Sequence, residues 1–219
     1  MEGKKDDLLS LNEAKSKGLN IDWENYKPVK PNKTGRQVLN HIPVEDIMPY
    51  IDWKFFFHSW ELSARYASIH HTDTCPACQA SWLNSYPENE REKADEARKL
   101  YKDAVQMINE LAAEKVEYIK AVYGIYEAYS KDECIYIDNV CFPMLRQQKK
   151  NEKDLYLSLA DFVAPKNSRT TDYVGAFTVT AGVGASELLE KYERQGDEYS
   201  VLLLKSILDR LAEAATEYL

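Results

Sequence analysis

The strongest constraint on the fold is the spacing of apolar residues between positions 90 and 114. Ala94, Ala97, Leu100, Tyr101, Ala104, Met107, Ile108 and Leu111 recur three and four apart. That spacing places side chains on one face of a helix with about 3.6 residues per turn. Glu92, Asp95, Glu96, Lys99, Lys102 and Asp103 supply the polar face. A helix with a single apolar stripe must lay it on another layer. Directly after it the period changes. Val122, Tyr123, Ile125, Tyr126 and Tyr129 are strand formers, Ser130-Lys131-Asp132-Glu133 is a turn, and Cys134-Ile135-Tyr136-Ile137 returns. Residues 118–137 therefore read as a β-hairpin. Both helices and strands are therefore expected in the fold.

The remaining punctuation agrees. Ser10 and Glu13 match a capping box, with Gly18 as the stop, and Pro43 opens a second short helix. Between them, Ile21–Tyr26 followed by Pro28 and Pro31 reads as an extended stretch anchored by aromatics. Leu155–Phe162 and Tyr173–Thr180 are strand candidates, and Gly175 marks a close backbone approach. Ser186 caps a helix from about Glu187, Gly196 breaks it, and a last helix covers Asp197–Leu219. With 219 residues and no repeat or linker, the expectation is a single domain over residues 1–219. Residues 1–42 form an arm wrapping a core of residues 43–219.

Charge removes several classes of function. Against 28 Lys and Arg stand 36 Asp and Glu, a net charge of −8. Phosphate contacts need clustered cations, so no nucleic-acid partner is expected. The one basic cluster, Arg146, Lys149, Lys150 and Lys153, is interrupted by Gln147, Gln148 and Glu152 and reads as a solvated face. No apolar run approaches the ~18 residues of a membrane span, so no membrane is expected. The charged opening, Met1–Ser10, has no apolar segment of a secretory leader. A cytoplasmic location with reduced thiols follows as the expectation.

Nucleophile elbows, phosphate loops and HExxH are absent from the sequence. His58 reads as packed in its aromatic stretch. Cys134 and Cys141 read as small hydrophobes of the sheet. Cys75-Pro76-Ala77-Cys78, preceded by His70 and His71, admits three readings: structural or incidental thiols, a metal site, or redox work, whose thioredoxin-type form needs a preceding strand and a following helix. Asp52 lies among Tyr50, Ile51, Trp53, Phe55, Phe56 and Phe57, and needs partners wherever it is sheltered from water. Asp209 and Glu213 lie four apart on the last helix, with Glu217 beyond, either a solvated acidic face or a docking strip.

A family resemblance appears in series along the chain. Tyr50-Ile51-Asp52-Trp53-x-x-Phe56-Phe57-x-x-Trp60-Glu61-Leu62 resembles the activation domain of cobalamin-dependent methionine synthase. So do Leu145-Arg146-Gln147-Gln148, Leu159–Lys166, Asp172–Phe177 and the final Asp209–Leu219, and the opening Ile21-Asp22-Trp23-x-x-Tyr26 belongs to the same pattern. The resemblance implies an α+β fold, antiparallel β-sheet with long helices, in a domain that binds S-adenosylmethionine and caps a cobalamin domain. There it supports rescue of inactive cob(II)alamin by an electron from a flavodoxin-type donor and a methyl group from S-adenosylmethionine. It implies Asp52 as a contact to S-adenosylmethionine, and Asp209 and Glu213 as acidic positions facing the cobalamin domain. The family's RxxxGYPAC motif, which supplies further cofactor contacts, does not occur in these 219 residues. A C-terminally shortened relative is therefore expected, lacking the family's C-terminal third. It docks on a cobalamin-bearing methionine synthase module and assists reactivation without catalysing methyl transfer alone, cobalamin entering only through the partner. The alternative is a binding module whose site is a metal or thiol pair at Cys75 and Cys78, with no role in methyl transfer.

Overall fold

A computed structural model describes residues 7–72, 75–114 and 116–219. In chain order the elements are α1 (Leu11–Ser16), β1 (Gly35–Ile42), α2 (Val44–Ile47), α3 (Trp53–Ser59), α4 (Pro76–Asn84) and α5 (Arg91–Ala113). Then follow β2 (Ile119–Lys131), β3 (Cys134–Ile137), β4 (Val140–Pro143), β5 (Asp172–Ala181), α6 (Ser186–Gln195) and α7 (Glu198–Tyr218). The strands follow the order β1-β2-β3-β4, and β5 also pairs with β2. The β2–β3 and β3–β4 pairs are antiparallel. Helices and antiparallel strands together make the α+β class expected from the sequence. The first six residues of the charged opening lie outside the described residues.

The chain divides into two compact units. One comprises Met1–Gln37 and Tyr123–Phe177. Its capping box forms as read: Ser10 accepts the Glu13 N–H, and the Glu13 carboxylate accepts the Ser10 N–H at 3.0 Å. The hairpin turns at Asp132 and Glu133, whose φ angles of 51° and 63° suit a two-residue loop between twisted strands. The unit's small apolar core holds Ala128, Ile135, Ala160 and Val163, with Ile137, Met144 and Val174 packed against it. Beside it Arg146, with 5% of its side chain exposed, pairs with Glu133 and Asp161. Its guanidinium holds Asp161 in a fork (2.8 and 2.5 Å) and also donates to the Tyr156 carbonyl at 2.6 Å. Gly18 leaves room for this group, because a Cβ there would sit 2.6 Å from the guanidinium.

Several sequence readings need correction in this unit, beginning with Arg146, which is buried among its ion-pair partners and not part of a solvated basic face. No strand forms over Leu155–Phe162; the segment ends in a 3-10 turn, Leu159–Phe162. Ser158 caps that turn through the Ala160 N–H, and the Asp161 carboxylate accepts the Ser158 N–H at 3.1 Å. Such local side-chain bonds compete with ladder formation. Cys134 and Cys141 are not separate hydrophobes but a disulfide, Cα atoms 5.7 Å apart. The sequence reading missed β4. Its pairing sets Cys134 opposite Pro143 and Cys141 opposite Tyr136, so the two cysteines are diagonal neighbours. A Cβ at Gly175 would meet nothing within 4 Å, so this glycine marks no close approach.

The other unit comprises Val38–Val122 and Thr178–Leu219. The apolar stripe of α5 is buried at Ala94, Ala97, Leu100, Ala104, Met107, Ile108 and Leu111. α7 buries Leu203, Leu204, Ile207, Leu211, Ala214 and Ala215 in the same core. α3 adds Trp53, Phe56 and Phe57, with the Trp53 ring edge-on to Tyr101 at 4.7 Å and to Phe56 at 5.4 Å. Each fully buried aromatic or aliphatic side chain of this kind contributes about 1.5–3 kcal/mol. Because Phe56 and Phe57 turn inward, His58 faces outward and is exposed, contrary to the packed histidine expected. α6 starts one residue early, with Ala185 rather than Ser186 at its cap, and stops at Gly196 with φ 69°. That left-handed position is one glycine adopts at little cost.

Candidate functional site

Asp52 begins α3. Its carboxylate accepts the N–H groups of Lys54 (2.8 Å) and Phe55 (3.4 Å), which satisfies two otherwise unpaired donors of the first turn. Burial of Trp53, Phe56 and Phe57 anchors the helix and leaves Asp52 at the surface, not sheltered among the aromatics. The carboxylate lines a cavity of about 430 Å³ with Tyr50, Lys54, Arg65, Ser68, His70 and His71. That volume falls in the range of about 300–1,000 Å³ typical of small-molecule sites. The His70 and His71 rings lie 3.7 Å apart, and His70 Nδ1 is 2.5 Å from the Ala67 carbonyl. Arg65 is held by Glu90 at 2.6 Å and lies over the rings of Tyr66 and Tyr86. One carboxylate and two cationic side chains around one cavity suit a zwitterionic ligand.

Asp209 and Glu213 are both exposed on α7. Glu213 pairs with Arg210, whose guanidinium lies 5.9 Å from the Phe55 ring centre. Asp209 lines a separate concavity of about 240 Å³ with Ser59, Trp60, Leu202, Ser206 and Arg210. Trp60 donates its indole N–H to the Ser206 hydroxyl at 3.1 Å, fixing the ring against α7. Leu202 and Phe55 remain 59% and 55% exposed beside these carboxylates. The result is a mixed surface: apolar patches bordered by acid, the composition of an interface core with a charged rim. Sequence reasoning picked out the acids but missed Leu202, Ser206 and Phe55. The helical spacing of 202, 206, 209 and 213 carried that signal.

The structure does not gather the sequence-selected residues into one centre. Asp52 and Asp209 line different concavities. Their neighbourhoods nevertheless touch: Tyr50, two residues before Asp52, packs edge-on against Tyr218 at the end of α7, and Phe55, whose N–H Asp52 accepts, lies against Arg210. Cys75 and Cys78 open α4. Among the described residues, no group of three or more His, Cys, Asp or Glu is placed to hold a metal ion. Also among the described residues, no helix is long and apolar enough to cross a membrane.

Comparison with known proteins adds two findings. A family model described as "Vitamin B12 dependent methionine synthase, activation domain" matches residues 43–219. A solved structure described as "Crystal Structure of the MetH Reactivation Domain bound to AdoHcy" superposes with a TM-score of 0.79 at 32% sequence identity. The match covers 96% of this chain and 62% of that one, so this chain spans less than two thirds of its neighbour's length.

Proposed function

Because the chain belongs to the activation-domain family of vitamin B12-dependent methionine synthase, we propose that it serves reductive reactivation by docking α7 onto a cobalamin-bearing methionine synthase module. The observation that carries this reading is the α7 surface. Asp209 and Glu213 stand exposed beside Leu202 and Phe55, so one face offers acidic acceptors and an apolar patch together. A partner's imidazole or cationic rim can bond the carboxylates while its apolar surface covers Leu202. The cobalamin belongs to that partner, and a flavodoxin-type protein supplies the electron. Asp52 acts as the anionic contact for the ammonium group of S-adenosylmethionine. The related reactivation domain with bound AdoHcy supports this assignment, as does the size of the cavity that Asp52 lines.

Calorimetric titration of the chain with a cobalamin-binding methionine synthase module tests the reading. Saturable binding is expected, and charge reversal by Asp209→Lys with Glu213→Lys should weaken it about tenfold, a loss of roughly 1.4 kcal/mol. No heat of binding, or an unchanged affinity in the double variant, would overturn it.

A further inference from the structure

The CxxC segment is absorbed neither by the cavity at Asp52 nor by the α7 surface, and its geometry is specific. Cys75 occupies the N-cap of α4 with extended backbone (φ −70°, ψ 109°), and Pro76 takes the first helical position. Cys78 lies one turn on. Cys75 Sγ accepts the Cys78 N–H at 3.3 Å, so the sulfur sits where a capping oxygen usually sits. Both side chains reach solvent, Cys75 in part and Cys78 openly, and neither belongs to the Cys134–Cys141 disulfide. Positions three apart in a helix have Cα atoms about 5 Å apart, from a rise of about 1.5 Å per residue on a radius of about 2.3 Å. That separation lies inside the range of about 4.4–6.8 Å spanned by disulfides.

We propose that Cys75 and Cys78 form a redox-active dithiol that exchanges with a low-molecular-weight disulfide, Cys75 attacking and Cys78 resolving. The roles follow from position. Cys75 sulfur faces the positive end of α4, where backbone N–H groups stabilise negative charge. The Cys78 thiol and N–H and the Ala77 N–H bond to that sulfur and hold its pKa below the ordinary thiol value. In the first step the Cys75 thiolate forms a bond to one sulfur of the small disulfide. The small disulfide's S–S bond breaks, and the departing thiolate takes up a proton. In the second step Cys78 loses its proton and attacks Cys75 Sγ. The Cys75–Cys78 bond forms, the mixed disulfide breaks, and a second small thiol leaves. The protein loses two electrons and two protons, and the small disulfide gains both. This inference does not depend on the docking role proposed for α7.

The test uses the full chain in glutathione and glutathione disulfide buffers, read by differential alkylation and peptide mass. The peptide holding both cysteines should convert to an internal disulfide with loss of two hydrogens. Cys78→Ser should trap glutathione on Cys75. In Cys75→Ser, Cys78 should react at least tenfold more slowly than Cys75 does in the unaltered chain. Circular dichroism of both variants checks that the fold persists, and Cys134–Cys141 serves as an internal reference. Failure of the internal disulfide to form, or equal reactivity of the two thiols, would refute the proposal. Stoichiometric zinc that is lost in either variant would refute it equally, by making the pair a ligand set.

Discussion

Substitution of Asp52 separates two roles that one carboxylate carries. In the structure it caps α3 by accepting the Lys54 and Phe55 N–H groups; in the proposed function it also meets a ligand ammonium. Asp52→Ala removes both. Loss of an N-cap costs about 1 kcal/mol. In a chain of this size that lowers the melting temperature by about 2–4 °C. Asp52→Ser restores a capping oxygen but not the charge. Its stability should stay within about 0.5 kcal/mol of the parent. A charge-assisted hydrogen bond contributes about 1.5–3 kcal/mol. The serine variant should therefore bind S-adenosylmethionine or S-adenosylhomocysteine about 10- to 150-fold more weakly. Urea denaturation followed by circular dichroism reads the first effect, and titration calorimetry the second. If serine destabilises as much as alanine, the capping argument fails. If serine binds ligand as aspartate does, Asp52 is a cap and nothing more.

Further outcomes follow from other parts of the chain. Asp161→Asn replaces one arm of the fork to Arg146 and should lower stability by about 2–4 kcal/mol in urea denaturation, Glu133 retaining part of the pairing. Burial raises the Asp161 pKa, but the Arg146 guanidinium and the Ser158 N–H outweigh it, leaving the folded value below the ordinary 3.8. This carboxylate's stabilisation is therefore complete above about pH 4–5, and it is lost as pH falls through the depressed folded value. Acid titration of Asp161→Asn should show a shallower decline than the parent below pH 4. Gly196→Ala should cost about 1–2 kcal/mol, purely for the left-handed backbone at φ 69°, because nothing lies within 4 Å of a Cβ there. Gly196→Asn should cost less. Peptide mapping without reductant should recover Cys134 and Cys141 as one linked peptide.

Much of the secondary structure was legible because it rests on local rules. The α5 stripe needs only spacing at three and four, and every position buried along it was in that series. The Ser10–Glu13 capping box and the Gly196 stop are contacts within one helical turn. The hairpin at Asp132–Glu133 needs only a turn between two strand-forming runs. The errors share a different cause. Leu155–Phe162 has strand composition, yet Arg146 draws Asp161 toward it across 15 residues, while Ser158 caps a tight turn. β4 is a four-residue strand, too short for a periodic signal, and without it the Cys134–Cys141 pairing had no geometry.

The chain's own residue order determined the α+β class, the long amphipathic helix, the capped helix ends and the family to which residues 43–219 belong. Those properties depend on near neighbours, or on motifs read in series. Tertiary structure alone decided what the singled-out side chains face. It brought Asp52 to the surface as a cap beside His70, His71 and Arg65. It set exposed Phe55 close to the guanidinium of Arg210 and left Leu202 uncovered beside the acids of α7. The physical reason is common to both. Exposure and partnership are fixed by which apolar groups pack inward, and that packing joins residues more than 100 positions apart.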